Sequence, residues 1–462
     1  MLFQSQFFIL VFLPAVLAAY YVVAARARAR QFVLIVASLT FYAWWDVRFV
    51  ALVVGQIGIT WALAKLDQRF RMNRQRRTKW LLGAGIVVNL ASLGIFKYCD
   101  FLLDALSAVT GHSFGRADLV LPIGISFFTF QLISYLVDRW RDQAPIYPLR
   151  TFMLFVLFFP HVIAGPIVRH NELIPQFAEN PVCEAMWRRL GVGLMLFTLG
   201  FAKKVLLADP LGGVADPLFS MAATQWLDLG QAWTAALAFS LQLFLDFSAY
   251  TEMAIGIALL FGLVLPENFR RPYLAADIRD FWRRWHMSLS LFFRDYVYVP
   301  LGGSRAGPAR YVAATLATMG LCGLWHGAGW TFVAWGLWHG AGLVLCRSWQ
   351  FLGRPLPGPL SWAITLLFVI VGWVLFRARD FAVATAVLGS MAGAGGWQGG
   401  LGALKYLVAG AAVSVLVPSA HELKDAVLRP NAMLAAGAAV LAVVCILQVG
   451  QGAPVSFIYF QF

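Results

Sequence analysis

Histidine occurs twice in a strongly apolar part of this sequence, and it is the side chain best suited to act as a base near neutral pH. His326 lies in the string LCGLWHGAGW and His339 in WGLWHG. His326 follows Arg310 by sixteen residues, about 24 Å of helix at 1.5 Å per residue, which predicts a position well inside a bilayer. Each ring is either a catalytic base or a structural histidine hydrogen-bonded in a helix bundle.

His286 lies in a segment that is both polar and aromatic, FWRRWHMSLSLFFRDYVYVP at 281–300. Apolar side chains recur there every three or four residues, which predicts an amphipathic helix in the cytoplasmic interface. His286 falls on the apolar stripe, so it should face protein or lipid and need a polar partner. It is a candidate for orienting a substrate or bonding within an active cavity, and a satisfied structural histidine is the alternative.

Four further ionisable residues interrupt apolar segments. Asp246 and Glu252 lie in LDFSAYTEMAIG, and Lys203 and Lys204 lie in FTLGFAKKVLLAD. The carboxylates belong either to an ion pathway or, as we prefer, to a buried network with a histidine or arginine. The lysines either reach the membrane interface along their aliphatic stems or hold an anionic donor.

The elements that position these residues are predicted to be membrane helices. Apolar residues make up 60% of the 462 positions and charged residues 13%, a ratio that one soluble core cannot accommodate. The apolar runs are continuous and lack the alternation of β-barrel strands. We therefore expect an all-α integral membrane protein, a polytopic bundle of about 10–13 membrane segments with re-entrant and interfacial helices around a central funnel. The predicted spans are roughly 6–25, 31–46, 49–66, 80–97, 118–137, 151–168, 190–208, 231–262, 311–327, 328–346, 358–377, 403–420 and 431–449.

One predicted span contains residues that break helices. The string PHVIAGPIVRHNELIP at 160–175 contains three prolines and two histidines. Irregular backbone at membrane depth is tolerated only against protein or a water-filled cavity, so this segment is expected to line one.

Charge and cysteine content limit the function classes. Basic residues cluster in two predicted short loops, at 26–30 and 69–79, which two predicted spans separate. Both loops are expected to be cytoplasmic, which places the N-terminus outside and makes the net charge of +14 a topology signal rather than a sign of nucleic-acid binding. The five cysteines show no metal-binding or redox spacing, so we expect them to be core thiols and expect no metal site. We also expect no tightly bound cofactor.

Six strings of this sequence closely resemble the membrane-bound O-acyltransferase family, most of all its bacterial branch that exports acetyl groups for alginate and related polysaccharides. The resemblance covers roughly residues 1–350 and the terminal FIYFQF, and it implies a single acyltransferase domain over 1–462. The motif-bearing core would lie at about 118–350, followed by C-terminal helices at 351–462. The strings are LPIGISFFTFQ (121–131), FFPHVIAGPIVR (158–169), LDFSAYTEMAIG (245–256), LPENFRRPYL (265–274), FWRRWHMSLSLFFRDYVYVPLGGSR (281–305) and GLWHGAGWTFVAWGLWHG (323–340).

The resemblance implies roles for particular residues. The family's catalytic histidine matches His326 in GLWHG, and its second functionally implicated histidine matches His286 in RRWH. His339 also matches a family pattern, and we rank it as a supporting residue. The sequence departs mildly from the family pattern at three positions, none of them a histidine: Phe128, Ala249 and Glu252.

The resemblance further implies acetyl-coenzyme A as the acyl donor, a multi-pass location in the bacterial inner membrane, and partners outside the membrane. Those partners would be a periplasmic serine-type acetyltransferase or accessory proteins of a polysaccharide export complex. Membrane lipid surrounds the chain, and no nucleic acid is involved. Four arginines would attract the donor's phosphates: Arg283, Arg284, Arg294 and Arg305.

The sequence does not identify which molecule accepts the acyl group, because residues 351–452 carry few recognisable motifs. Peptidoglycan, cellulose and the D-alanylation of teichoic acid are alternatives within the same family. A transporter is the rival from another class, since it would also show deep polar groups and broken helices. Transporters often contain paired halves with matching interrupted segments, which we do not find in this sequence.

Overall fold

All regular elements that the structure describes are helices, as predicted. The computed structural model describes residues 1–72, 78–423, 431–451, 455, 457 and 458. By its internal contacts the chain divides into two compact units. The first contains Met1–Phe197, Met253–Pro266 and Arg429–Ala435, and the second contains Thr198–Glu252, Glu267–Leu428 and Ala436–Phe462. The assignment of 1–462 to a single domain stays a prediction.

The first unit holds the early helices of the chain. Short π-helices lie at Phe8–Phe12 and Gly94–Tyr98, and a 3₁₀-turn lies at Pro175–Ala178. The helix α9 (Met186–Lys203) begins in this unit and ends in the second. The remaining helices are α1 (Leu13–Val22), α2 (Ala27–Ala43), α3 (Arg48–Met72), α4 (Lys79–Leu93), α5 (Cys99–Thr110), α6 (Ile125–Trp140), α7 (Leu149–Leu157) and α8 (His170–Leu173).

The second unit holds the histidines singled out above. π-Helices at Lys204–Ala208 and Arg294–Tyr298 continue α9 and α13, and a 3₁₀-turn lies at Pro272–Leu274. The last residues of α11 and the first of α20 belong to the first unit. The helices are α10 (Asp209–Met221), α11 (Leu229–Leu260), α12 (Ile278–Arg284), α13 (Met287–Phe293), α14 (Pro308–His326), α15 (Trp330–Phe351), α16 (Gly358–Arg377), α17 (Phe381–Met391), α18 (Leu404–Leu416), α19 (Ala420–Glu422) and α20 (Ala432–Gly450).

Length and composition make several of these helices suitable for crossing a bilayer. Three shorter apolar helices lie at Phe8–Val22, Phe381–Met391 and Leu404–Leu416. The helices α14 and α15 are less apolar, because glycine, tryptophan and histidine lower their hydropathy, and the total of about 10–13 segments stays a prediction. Six helices of the described residues are long and apolar enough to span: Arg48–Phe70, Lys79–Thr110, Met186–Met221, Leu229–Leu260, Gly358–Arg377 and Ala432–Gly450.

The predicted helix break at 160–175 is confirmed. The helix α7 ends at Leu157, and turns lead from there to the short α8. The turn packs closely on the start of α6, since a Cβ at Gly124 would lie 2.4 Å from the carbonyl oxygen of Val162. His170 is a structural histidine, because its ring nitrogens bond to the Tyr147 hydroxyl at 2.9 Å and to Asp138 Oδ2 at 3.1 Å.

The prediction of one continuous amphipathic helix over 281–300 is wrong. The chain breaks at Trp285 and His286, between α12 and α13. His286 has φ +41°, in the left-handed region that a helix interior does not use. The predicted burial of its side chain is confirmed, since His286 is fully buried.

Candidate active site

His326 is the last residue of α14 and lies in an aromatic enclosure. Its side chain is only 3% exposed. The ring centroids of Trp325, Trp335 and Phe376 lie 4.8, 5.0 and 5.2 Å from its own, each with a steep interplanar angle. Such edge-on contacts hold a ring in one orientation. The aromatic walls therefore fix His326 and exclude bulk water from three sides.

Two glycines set the position of α14 against α15. A Cβ at Gly323 would lie 2.1 Å from the carbonyl oxygen of Phe332, and one at Gly336 would lie 2.1 Å from that of Met319. Only glycine permits such backbone contact, which is common where membrane helices cross. The crossing places Trp335 of α15 against His326 of α14.

The structure brings His286 beside His326. The two ring centroids are 6.5 Å apart, and Trp325 lies 6.0 Å from the ring of His286. Phe247 of α11 packs edge-on against His286 at 4.7 Å. His286 Nδ1 lies 3.0 Å from Oδ1 of Asn268, in the loop that follows α11. The sequence motifs contain both histidines but do not predict that their rings are neighbours.

His339 lies in the same unit, one aromatic ring away from His326. It is fully buried, and Trp335 lies 4.9 Å from it and 5.0 Å from His326. A Cβ at Gly372 would come within 3.0 Å of its Nε2, so that glycine makes room for the ring. This placement suits a supporting role through Trp335, and that role stays a prediction.

A cavity of about 710 Å³ opens beside these helices, within the size range of small-molecule sites. Its lining includes Cys322, one helical turn before His326, and Trp282, whose ring lies 6.0 Å from that of Trp335. The cavity therefore approaches the histidines from the side of α12 and α13. Its other principal lining residues are Arg279, Arg283, Arg294, Tyr298, Tyr311, Thr318, Met319, Arg347 and Gln350.

Only part of the predicted arginine cluster belongs to this cavity. Arg283 and Arg294 line it, and Arg294 also pairs with Asp295 at 2.6 Å. Arg284 pairs instead with Asp280 at 2.9 Å, and neither it nor the exposed Arg305 is a lining residue.

Two lining arginines were missed by sequence reasoning. Arg279 precedes the aromatic motif, and Arg347 follows the last histidine motif by two turns of α15. Arg347 lies over the ring of Tyr311 at 4.0 Å, and Arg279 donates to Gln350. Their positions in the sequence give no signal, because only the meeting of α12 with α15 brings them together.

The intramembrane carboxylates form the buried network that the sequence predicted. Lys203 pairs with Glu252 at 2.5 Å, and Lys204 pairs with Asp246 at 2.9 Å and with Asp209 at 2.6 Å. The partners are lysines rather than the expected histidine or arginine. The prediction that the side chain reaches the membrane interface is wrong for Lys204, whose side chain is buried between two carboxylates.

Two neighbouring buried histidines close to an arginine-lined cavity in a helical membrane protein are the arrangement expected of an integral membrane enzyme that uses a histidine as a base. The chain is a member of the membrane-bound O-acyltransferase (MBOAT) family, whose model matches residues 128–383. The predicted family is confirmed, and the protein is an O-acyltransferase of the membrane. The matched range includes His286, His326 and His339.

Named relatives cover most of this chain. It is 42% identical to the probable alginate O-acetylase AlgI of Pseudomonas putida, over 86% of this chain and 81% of that protein. It is 39% identical to the peptidoglycan O-acetyltransferase of Helicobacter pylori, over 86% and 80%. The teichoic acid D-alanyltransferase of Bacillus subtilis is 30% identical, over 70% of this chain and 84% of that protein. The relatives differ in acceptor and agree in acyl transfer.

Proposed function

We propose that this enzyme takes acetyl groups from a cytoplasmic thioester donor and moves them across the inner membrane for O-acetylation of an exported polysaccharide, alginate or a similar polymer. The observation that carries the proposal is that His286 and His326 are both buried, with their ring centroids 6.5 Å apart, near an arginine-lined cavity.

His326 is the proposed base. It takes the proton of the acceptor hydroxyl as the oxygen attacks the carbonyl carbon of the thioester. The new C–O bond forms and the C–S bond breaks, and the proton passes from His326 to the leaving thiolate. The reaction then ends with a neutral imidazole, an ester and a free thiol, so charge and atoms balance.

The proposed donor is acetyl-coenzyme A, used as a substrate rather than a bound cofactor. Arg279, Arg283, Arg294 and Arg347 line the cavity, and guanidinium groups bind phosphate through charge-assisted hydrogen bonds. A donor whose phosphates lie among these arginines would extend its thioester arm toward Cys322 and the histidines. The positive lining favours a phosphorylated donor over a neutral one.

The proposed acceptor follows the relatives. Similarity is higher to the probable alginate O-acetylase, at 42% identity, than to the teichoic acid D-alanyltransferase, at 30%. Peptidoglycan is the second candidate acceptor, because the identity to the peptidoglycan O-acetyltransferase is 39%. Both candidates are hydroxyls of a polymer outside the cytoplasm, so the proposed direction of acetyl movement is the same.

We further propose that the acetyl group passes to a periplasmic serine-type acetyltransferase or to accessory proteins of an export complex. Apolar residues make up 60% of the 462 positions, and a partner outside the membrane would supply the polar surface that grips a polymer. A serine hydroxyl of a partner protein would serve as the first acceptor, and the partner would then pass the acetyl group to the polymer.

Reconstitution tests this proposal. The purified protein in liposomes receives labelled acetyl-coenzyme A inside and alginate or peptidoglycan fragments outside, with and without the candidate partner. We expect partner-dependent labelling of one polymer through an acetyl-serine intermediate. Efficient labelling of polymer without the partner would contradict the relay, and no labelling of either polymer or partner would contradict the proposed function.

A further inference from the structure

Within the described residues, the His286 ring hydrogen-bonds only to the side chain of Asn268. Asn268 is fully buried, and its Oδ1 lies 3.0 Å from His286 Nδ1. The same oxygen accepts from the backbone N–H of Ser288 at 3.2 Å and from the Ser288 hydroxyl at 2.9 Å. One amide oxygen therefore gathers three donors from the segment 286–288.

These bonds determine which nitrogen of His286 carries the proton. A backbone N–H can only donate, so the Asn268 atom that faces Ser288 must be the oxygen and not the amide nitrogen. Since that oxygen can only accept, His286 Nδ1 must be the donor. In the neutral ring Nε2 then carries a lone pair, and Nε2 makes no hydrogen bond within the described part of the chain.

Among the described residues neither nitrogen of the His286 ring bonds to a charged group, which favours the neutral form. The rings packed against His286 belong to Phe247, Phe269, Trp325 and His326, and His326 alone of these is titratable. Charging a buried imidazole without a carboxylate partner costs several kcal/mol, of the order found for other unpaired buried charges.

Asn268 also holds the backbone at the break between α12 and α13. Its carbonyl oxygen accepts from the N–H of Met287 at 2.9 Å, and Arg270 N–H donates to the carbonyl of Arg284 at 2.9 Å. A left-handed conformation at a residue other than glycine is unfavourable and persists only where its surroundings impose it. The loop that contains Asn268 therefore keeps His286 out of the helical path.

We infer that Asn268 is a positioning residue that fixes His286 as the Nδ1–H tautomer, so that Nε2 is available to accept a hydrogen bond or a proton beside His326. This inference rests on the proposed acetyl transfer and assigns His286 an accepting role in it. Asn268 plays the part that a carboxylate or carbonyl plays behind a metal-bound or catalytic histidine, where its loss costs about 10–100-fold in activity.

Three variants test the inference in the full-length protein. Asn268→Ala removes the acceptor and should lower kcat for acetyl transfer about 10–100-fold. Asn268→Asp keeps an acceptor and adds a negative charge that favours the protonated ring, so transfer should persist while the acidic limb of the pH–rate profile moves to higher pH. Ser288→Ala is the matched control, since it removes a donor to the same oxygen and leaves the bond to His286.

A second measurement does not need the donor. Deuterium exchange at C2 of His286, followed by mass spectrometry, reports the protonation and freedom of that ring. We expect faster exchange in Asn268→Ala than in wild type and no change in Ser288→Ala. Unchanged exchange and rate in Asn268→Ala would overturn the inference. Absence of transfer by the wild-type protein would instead overturn the proposed function, while the exchange data still decide the role of Asn268.

Discussion

At the scale of single residues, the candidate site contains two histidine rings that neighbouring side chains hold in one orientation. Trp325, Trp335 and Phe376 contact His326 from three directions. Asn268 binds one nitrogen of His286. A base that is already oriented loses no rotational freedom when the acceptor arrives, which lowers the barrier to transfer.

The first prediction concerns His326. We expect His326→Ala to lower acetyl transfer by about a hundredfold or more, because a general base contributes about 10²–10⁴-fold. His112→Ala is the control, since His112 is exposed. The rates are measured with purified variants that elute from size-exclusion chromatography like wild type. A variant that retains more than about a tenth of the wild-type rate would show that His326 is not the base.

The second prediction separates two of the arginines chosen from the sequence. Arg283 lines the cavity, and Arg305 does not. Arg283→Ala should raise KM for acetyl-coenzyme A about tenfold with little change in kcat, because a hydrogen bond to a charged group contributes about 1.5–3 kcal/mol. Arg305→Ala should leave both constants unchanged. Equal effects of the two substitutions would place the donor's phosphates outside this cavity.

At the scale of elements, the close pair α14 and α15 positions the candidate active site. The glycine contacts at Gly323 and Gly336 leave no space for a side chain between the two backbones. The crossing of α14 with α15 positions His326, and the break between α12 and α13 positions His286. A substitution that disturbs the crossing or the break should therefore lower the rate of acyl transfer.

The third prediction tests the crossing. In Gly336→Ala the new methyl group would lie 2.1 Å from the carbonyl oxygen of Met319, so the helices must separate. Overpacking of this kind costs about 1–3 kcal/mol. Thermal unfolding in detergent should begin at a lower temperature, and transfer should fall. Gly320→Ala is the control, because its methyl would make only an ordinary contact with Leu337 at 3.5 Å; similar destabilisation by both would argue against a special role for the crossing.

At the scale of the whole molecule, function requires a defined orientation in the membrane. The predicted cytoplasmic loops are 26–30 and 69–79, of which residues 73–77 lie outside the described residues. The terminal motif FIYFQF likewise lies mostly outside them. Direction of transfer follows from orientation, because donor and acceptor are proposed to approach from opposite sides.

The fourth prediction tests that orientation. Ala25 directly precedes the predicted cytoplasmic loop 26–30, Ser113 lies between the predicted spans 80–97 and 118–137 on the predicted outer side, and both are exposed. In a background without the native exposed cysteine, Ser113→Cys should react with a membrane-impermeant thiol reagent added to intact cells, and Ala25→Cys should react only after permeabilisation. The opposite labelling pattern would invert the topology and with it the proposed direction of acetyl movement.

The amino-acid sequence by itself determined the class of the protein and its family, and it supplied the candidate residues for the chemistry. Its apolar content requires a membrane, and the prolines of 160–175 require a helix break, because both effects act through local composition and backbone geometry. The strings around His286 and His326 carry the family resemblance. The buried ion-pair network was also predictable, since a charge at membrane depth must find a partner.

Only the tertiary structure decided how these residues meet. The apolar stripe of 281–300 predicted a continuous helix, but bonds from Asn268, eighteen or more residues away in the chain, hold a break at His286. The arginines of the cavity could not be chosen from their motif, since Arg347 reaches it only because α15 packs beside α14. Hydrophobic periodicity reports which face of a segment is buried; which distant polar atom lies opposite that face depends on packing between elements.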